Sequence, residues 1–157
     1  MKTWIVNVAL ACLVMGSMAA HEHKPPHGGT LVEFGKEYAH LELVADSKDG
    51  RLTAYILDGE AENAIRIKQK EIVLQVQTKA PMTRVTLKAV ANVLTGEAVG
   101  DTSEFLGKFA NLAGLKRFSC VIEKVTIKGR DFTDVRFDFP EGNEKDAEKE
   151  HNNVKKN

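Results

Sequence analysis

The chain has 157 residues with 22 basic and 22 acidic side chains, so it carries no net charge at neutral pH. That balance supplies no positive field to condense on nucleic acid or anionic lipid, and it sets both aside as partners. Only two cysteines and four methionines occur in the whole chain.

Met1 to Ala20 places Lys2 before an apolar run from Trp4 to Met15 and small residues at Ser17 and Ala19. This is the layout of a secretory signal peptide, over residues 1–19, and it predicts a periplasmic or secreted protein with no membrane span once the signal is removed. Cleavage after Ala19 fits the small-residue pattern best, and cleavage after Ala20 is the alternative. The signal takes Trp4, Cys12 and every methionine except Met82 with it. Cys120 then has no partner for an internal disulfide, and its apolar neighbours point to a buried, inert thiol. Any metal site must use imidazole and oxygen ligands, because a thioether-rich Cu(I) site cannot be built.

Residues 20–29, AHEHKPPHGG, form a leader with three of the five histidines and no apolar periodicity. Pro25-Pro26 favours an extended backbone there. Thr30 to Phe34 and Glu37 to Val44 suit two strands, with Gly35-Lys36 as a two-residue turn. That register pairs Phe34 with Glu37, Val32 with Ala39 and Thr30 with Leu41. Val32, Ala39, Leu41 and Leu43 then face inward, and Tyr38, His40 and Glu42 face outward.

Arg51 to Leu57 alternates as a third strand, ended by Asp58-Gly59. Glu71 to Thr78 and the segment around Val85, Leu87 and Ala89 read as half-buried antiparallel strands. Between Thr95 and Gly114 the spacing of Phe105, Leu106, Phe109 and Leu112, with Asp101 as a cap and Glu104 three residues later, predicts a short helix. Phe118 to Ile127 and Phe132 to Phe139 are the last two strands, joined around Lys128-Gly129-Arg130. Residues 141–157 are too polar to offset their ordering entropy, which predicts a disordered tail. The fold class is therefore mainly all-β: a single antiparallel β-sandwich over residues 30–140, of roughly seven or eight strands, immunoglobulin-like in topology, with one short helix. An α+β roll is the alternative that the helix leaves open.

No G-x-S-x-G elbow, H-E-x-x-H helix, P-loop or G-x-G-x-x-G turn is present, so the chain is read as a non-enzyme. Histidine is the remaining source of chemistry. Neutral imidazole suits Cu(II), Ni(II), Zn(II) or Co(II), and the candidate ligands are His27, His40, Glu42, His21 and His23. His40 and Glu42 share one strand face ~7 Å apart, within reach of one ion. If the first strand simply continued backward, His27 would pair with Val44 and lie ~13 Å along the sheet from His40. A joint site then needs Glu42 between them, or a fold-back at Gly28-Gly29 that carries the leader over the outer face. Cleavage after Ala20 would put His21 first, with its α-amine available to Cu(II) or Ni(II), whereas cleavage after Ala19 removes that arrangement. The leader histidines can equally be read as soluble spacers, and the whole chain as an interaction module for an unknown partner.

Pro26-His27-Gly28-Gly29, His40-Leu41-Glu42-Leu43 and Tyr55-Ile56-Leu57-Asp58-Gly59 together resemble a group of small, largely uncharacterised secreted or periplasmic bacterial proteins with a histidine-bearing leader. The His-Gly-Gly segment is also similar to one in periplasmic adaptor subunits of heavy-metal efflux pumps. The resemblance implies a metal-handling context, with an efflux component as a partner, and does not carry over transport itself.

Overall fold

The computed structural model describes residues 23–143. Eight strands follow one another along the chain: β1 Thr30–Phe34, β2 Ala39–Asp46, β3 Arg51–Leu57, β4 Glu71–Gln77, β5 Thr83–Ala89, β6 Glu104–Lys108, β7 Phe118–Ile127 and β8 Arg130–Phe139. All pairings are antiparallel and join the strands into one sheet in the order β1-β2-β3-β6-β5-β4-β7-β8. The all-β antiparallel class is as the sequence predicts. In place of two stacked sheets with immunoglobulin-like connections there is a single, nearly closed, barrel-like sheet.

The seam between β1 and β8 is bridged largely by side chains. Glu33 N–H donates to Asn143 Oδ1 at 2.7 Å, and Asn143 Nδ2 donates back to Glu33 O at 3.2 Å, so one amide imitates a strand partner. Thr30 Oγ1 donates to Pro140 O at 3.2 Å. Glu141 to Asn143, assigned to the tail from composition, thus begin as part of the closure; residues 144–157 lie outside the described residues.

Alternation of apolar side chains builds the interior. Val32, Phe34, Ala39, Leu41, Leu43, Leu52, Ala54, Ile56, Ile72, Leu74 and Leu87 are all fully buried. The hairpin at the start differs from expectation in its turn. Phe34 pairs with Ala39, Val32 with Leu41 and Thr30 with Leu43, two residues further along than a two-residue turn would give. The turn is wider, closed by Tyr38 N–H donating to Phe34 O at 3.1 Å. Because the shift is even, every side chain keeps its expected face.

The expected short helix does not form. Glu104–Lys108 is a strand, followed only by a single 3-10 turn at Ala110–Leu112. Phe105 is fully buried while Leu106 beside it is 40% exposed, the alternation of a strand. Partners remote in sequence decide the matter: β6 pairs with Arg51 to Tyr55 on one side and with Lys88 and Ala89 on the other. Gly107 permits this close approach, since a Cβ there would lie 2.6 Å from Leu87 Cδ2 and 2.7 Å from Thr86 O. Among the described residues no helix is long and apolar enough to cross a membrane.

Cys120 packs into the same interior, where burial and then the Asp138 carboxylate push its thiol up to about 12. The thiolate needed for nucleophilic or ligand chemistry is therefore scarce at neutral pH. A thiol reagent at pH 8 is expected to leave Cys120 unmodified in the native protein and to label it fully once the chain is unfolded in denaturant. Substitution tests the strand at β6: Phe105→Ala should cost about 3–5 kcal/mol in denaturant unfolding, whereas Leu106→Ala should change stability by no more than about 1 kcal/mol. Equal losses at the two positions would contradict the strand assignment.

Candidate functional site

The site lies on the outer side of β2, where alternation sends His40 and Glu42 away from the interior. Both are nevertheless fully buried. Two segments cover them: the leader from His23 to Gly29, and the loop from Asp58 to Asn63 that follows β3. Leu31, Leu57 and Ala61, with half-buried Tyr55, form a small apolar cluster beneath this cover.

The leader reaches the sheet by folding back at its two glycines. Gly28 N–H donates to Pro25 O at 3.2 Å to close the bend. Gly29 then presses against β2 so closely that a Cβ on it would lie 2.6 Å from Leu43 O and 2.9 Å from Val44 Cγ2. Glu42 holds the folded segment in place. Its Oε1 accepts from His27 N–H and Gly29 N–H, both at 2.8 Å, while its Oε2 lies 2.7 Å from His27 Nδ1 and 3.2 Å from His27 N. The imidazole of His27 also stacks on Tyr55, the cross-strand neighbour of Glu42, with ring centroids 3.8 Å apart and planes within 10°. Burial first, and then the Glu104 and Glu42 carboxylates, raise the Tyr55 phenol above its ordinary range, so it serves as a neutral platform.

His40 is held differently. Its Nδ1 lies 3.1 Å from the backbone oxygen of Asp58. A carbonyl can only accept, so Nδ1 carries a proton, and whenever the ring is uncharged the lone pair is on Nε2. That Nε2 is buried and has no hydrogen-bond partner among the described residues. The ring of His23 lies edge-on to the ring of His40, with centroids 4.9 Å apart and planes at 60°.

The Asp58 loop is itself tightly tied. Asp58 Oδ1 accepts from Glu62 N–H at 2.9 Å and Asn63 N–H at 3.2 Å, and Oδ2 accepts from Asn63 Nδ2 at 2.7 Å. Burial opposes the charge of Asp58, but the Asn63 side chain and the backbone N–H groups of Glu62, Asn63 and Glu60 outweigh it and hold the carboxyl below its ordinary range. The loop that orients His40 is thus anchored by an ionised aspartate.

Of the sequence candidates, the fold brings His27 onto Glu42 and His23 onto His40; His21 lies outside the described residues. The fold-back at Gly28-Gly29, and not the regular extension of β1, is the arrangement adopted. Glu42 engages both oxygens with the leader. Among the described residues no three His, Cys, Asp or Glu side chains converge as a ready-made metal cage. Tyr55 and Asp58 are site residues that sequence reasoning passed over. The outward position of Tyr55 opposite Glu42, and the turn-forming run from Asp58 to Asn63, were the signals for them. Compared with known proteins, the chain matches no family model, no curated sequence and no solved structure.

Proposed function

We propose that this protein is a non-catalytic, secreted or periplasmic binder of a divalent transition metal, Cu(II), Ni(II), Zn(II) or Co(II), with His40 as the principal ligand and His23 as the second. The observation that carries the reading is the buried, unpartnered Nε2 of His40. Leaving such a nitrogen unsatisfied costs about 1–3 kcal/mol, and a metal ion is a partner that would recover that cost. The other half of the ring has the form expected of a ligand, since metal-binding histidines usually donate their second N–H to a carbonyl or carboxylate. Asp58 O plays that part for His40. His27 has the same form, with Nδ1 turned to the Glu42 carboxylate, on a side chain that is 43% exposed.

Two imidazoles occupy only part of a coordination sphere. The remaining positions go to water or to groups on an acceptor, which suits transfer of the ion better than permanent structural use. An efflux component of the periplasm is the acceptor that the His-Gly-Gly resemblance brings forward. Protons compete with the metal for the same lone pairs, so acidification releases it.

One observation favours a second reading, an interaction module for a protein partner. Val93 and Leu94 stand 93% and 97% exposed on a turn framed by the paired backbones of Asn92 and Glu97.

His40→Phe separates the readings. The substitution removes the unsatisfied nitrogen along with the Asp58 contact, so the metal-free variant should unfold within about 1.5 kcal/mol of the parent. In calorimetry with Zn(II) and Cu(II), the parent should bind one ion and the variant at least about tenfold more weakly. A parent protein that takes up none of Zn(II), Cu(II), Ni(II) and Co(II) would overturn the metal reading and leave the interaction module.

A further inference from the structure

The geometry points to a regulation of that same site: docking of the leader and loading of the metal are one coupled equilibrium, with Glu42 as its positioning residue. This inference rests on the proposed His23–His40 site. The two imidazoles come from different parts of the molecule. His40 belongs to β2 and is held by the Asp58 carbonyl, a contact that does not involve the leader. His23 belongs to the leader, and its ring meets that of His40 with the segment behind it folded back and seated on the sheet.

The seat is local. From His27 to Gly29 the leader is tied to the sheet through the carboxylate of Glu42, which receives His27 N–H, Gly29 N–H and His27 Nδ1. Stacking of His27 on Tyr55 and the tight fit of Gly29 against Leu43 complete it. Glu42 is therefore placed to act on the metal through the leader, without touching the ion: both its oxygens are committed to the leader. If the ion bridges His23 and His40, it adds a tie between leader and sheet. Coupling of this kind is reciprocal, so whatever weakens the seat must weaken the metal, and the metal must tighten the seat by the same factor. An ion taken up would hold the leader more firmly over the outer face of β2 and β3; an ion surrendered would loosen it.

Zn(II) is the probe, being diamagnetic, and the full chain with its leader is the sample. Three variants are compared with the parent: Glu42→Ala, which removes the seat; Gly29→Ala, which leaves Glu42 intact but drives a methyl group into Leu43 O; and His40→Phe. Circular dichroism checks that each retains the strand spectrum. Both Glu42→Ala and Gly29→Ala should lower Zn(II) affinity by about tenfold or more, the scale on which outer residues act on bound metal. In the parent, saturating Zn(II) should slow hydrogen exchange at the Gly29 amide by at least the factor by which these variants lose affinity, a change that a purely structural glutamate would not produce.

Loss of affinity in Glu42→Ala alone, with Gly29→Ala binding as the parent does, would make Glu42 a direct ligand and overturn the coupling. Parent-like affinity in both, with His40→Phe unable to bind, would also overturn it while leaving the metal site standing. Parent-like affinity in His40→Phe would remove the site and the coupling together.

Discussion

A carboxylate withdrawn from water on the outer face of a sheet is the constraint on which the site depends. Taking Glu42 out of solvent costs several kcal/mol, and three leader donors, each worth about 1.5–3 kcal/mol when directed at a charge, offset it. The same donors fix the path of residues 25–29 across β2. From that path follow the stacking of His27 on Tyr55 and the placement of the His23 ring against His40. The barrel-like sheet contributes rigidity beneath: β2 lies between β1 and β3, with Ala39, Leu41 and Leu43 anchored in the interior.

His40 and Glu42 occupy equivalent positions on one strand but are satisfied in opposite ways. Glu42 has donors for both oxygens, whereas His40 has a partner at Nδ1 and, among the described residues, none at Nε2. A protein evolving only for stability could fill the place of His40 with an apolar side chain, at little cost under a cover that already includes Leu31, Leu57 and Ala61. Retaining an imidazole there, with its tautomer set by a loop that an ionised Asp58 holds together, makes sense when the lone pair is used.

Much of the fold could be read from alternation. Arg51–Leu57 and Phe118–Ile127 have the bounds expected of them, and the faces of β1 and β2 survive a two-residue change of register because parity is unaffected. Closure was less legible. A sheet that curls until β1 meets β8 differs from a sandwich only in long-range pairing, and the seam turns on one amide, Asn143, in a segment whose composition reads as tail. The segment around Phe105 failed for a related reason. Apolar residues at 105, 109 and 112 satisfy a helical period, yet β6 is decided by β3 and β5, which local spacing does not register. At the site, alternation correctly sends His40 and Glu42 outward, and from that alone both would be exposed. Their burial comes from two covering segments, and only Gly28-Gly29 and the turn after Asp58 hinted at them.

The proposed metal binding rests on the Nε2 lone pair of His40. Nitrogen-15 NMR of the histidine rings during a Zn(II) titration reads that atom directly. At one equivalent the His40 Nε2 resonance should leave the position of a bare imidazole nitrogen for that of a metal-bound one, while Nδ1 stays protonated on Asp58 O. An Nε2 resonance that stays unmoved at saturating Zn(II) would contradict it.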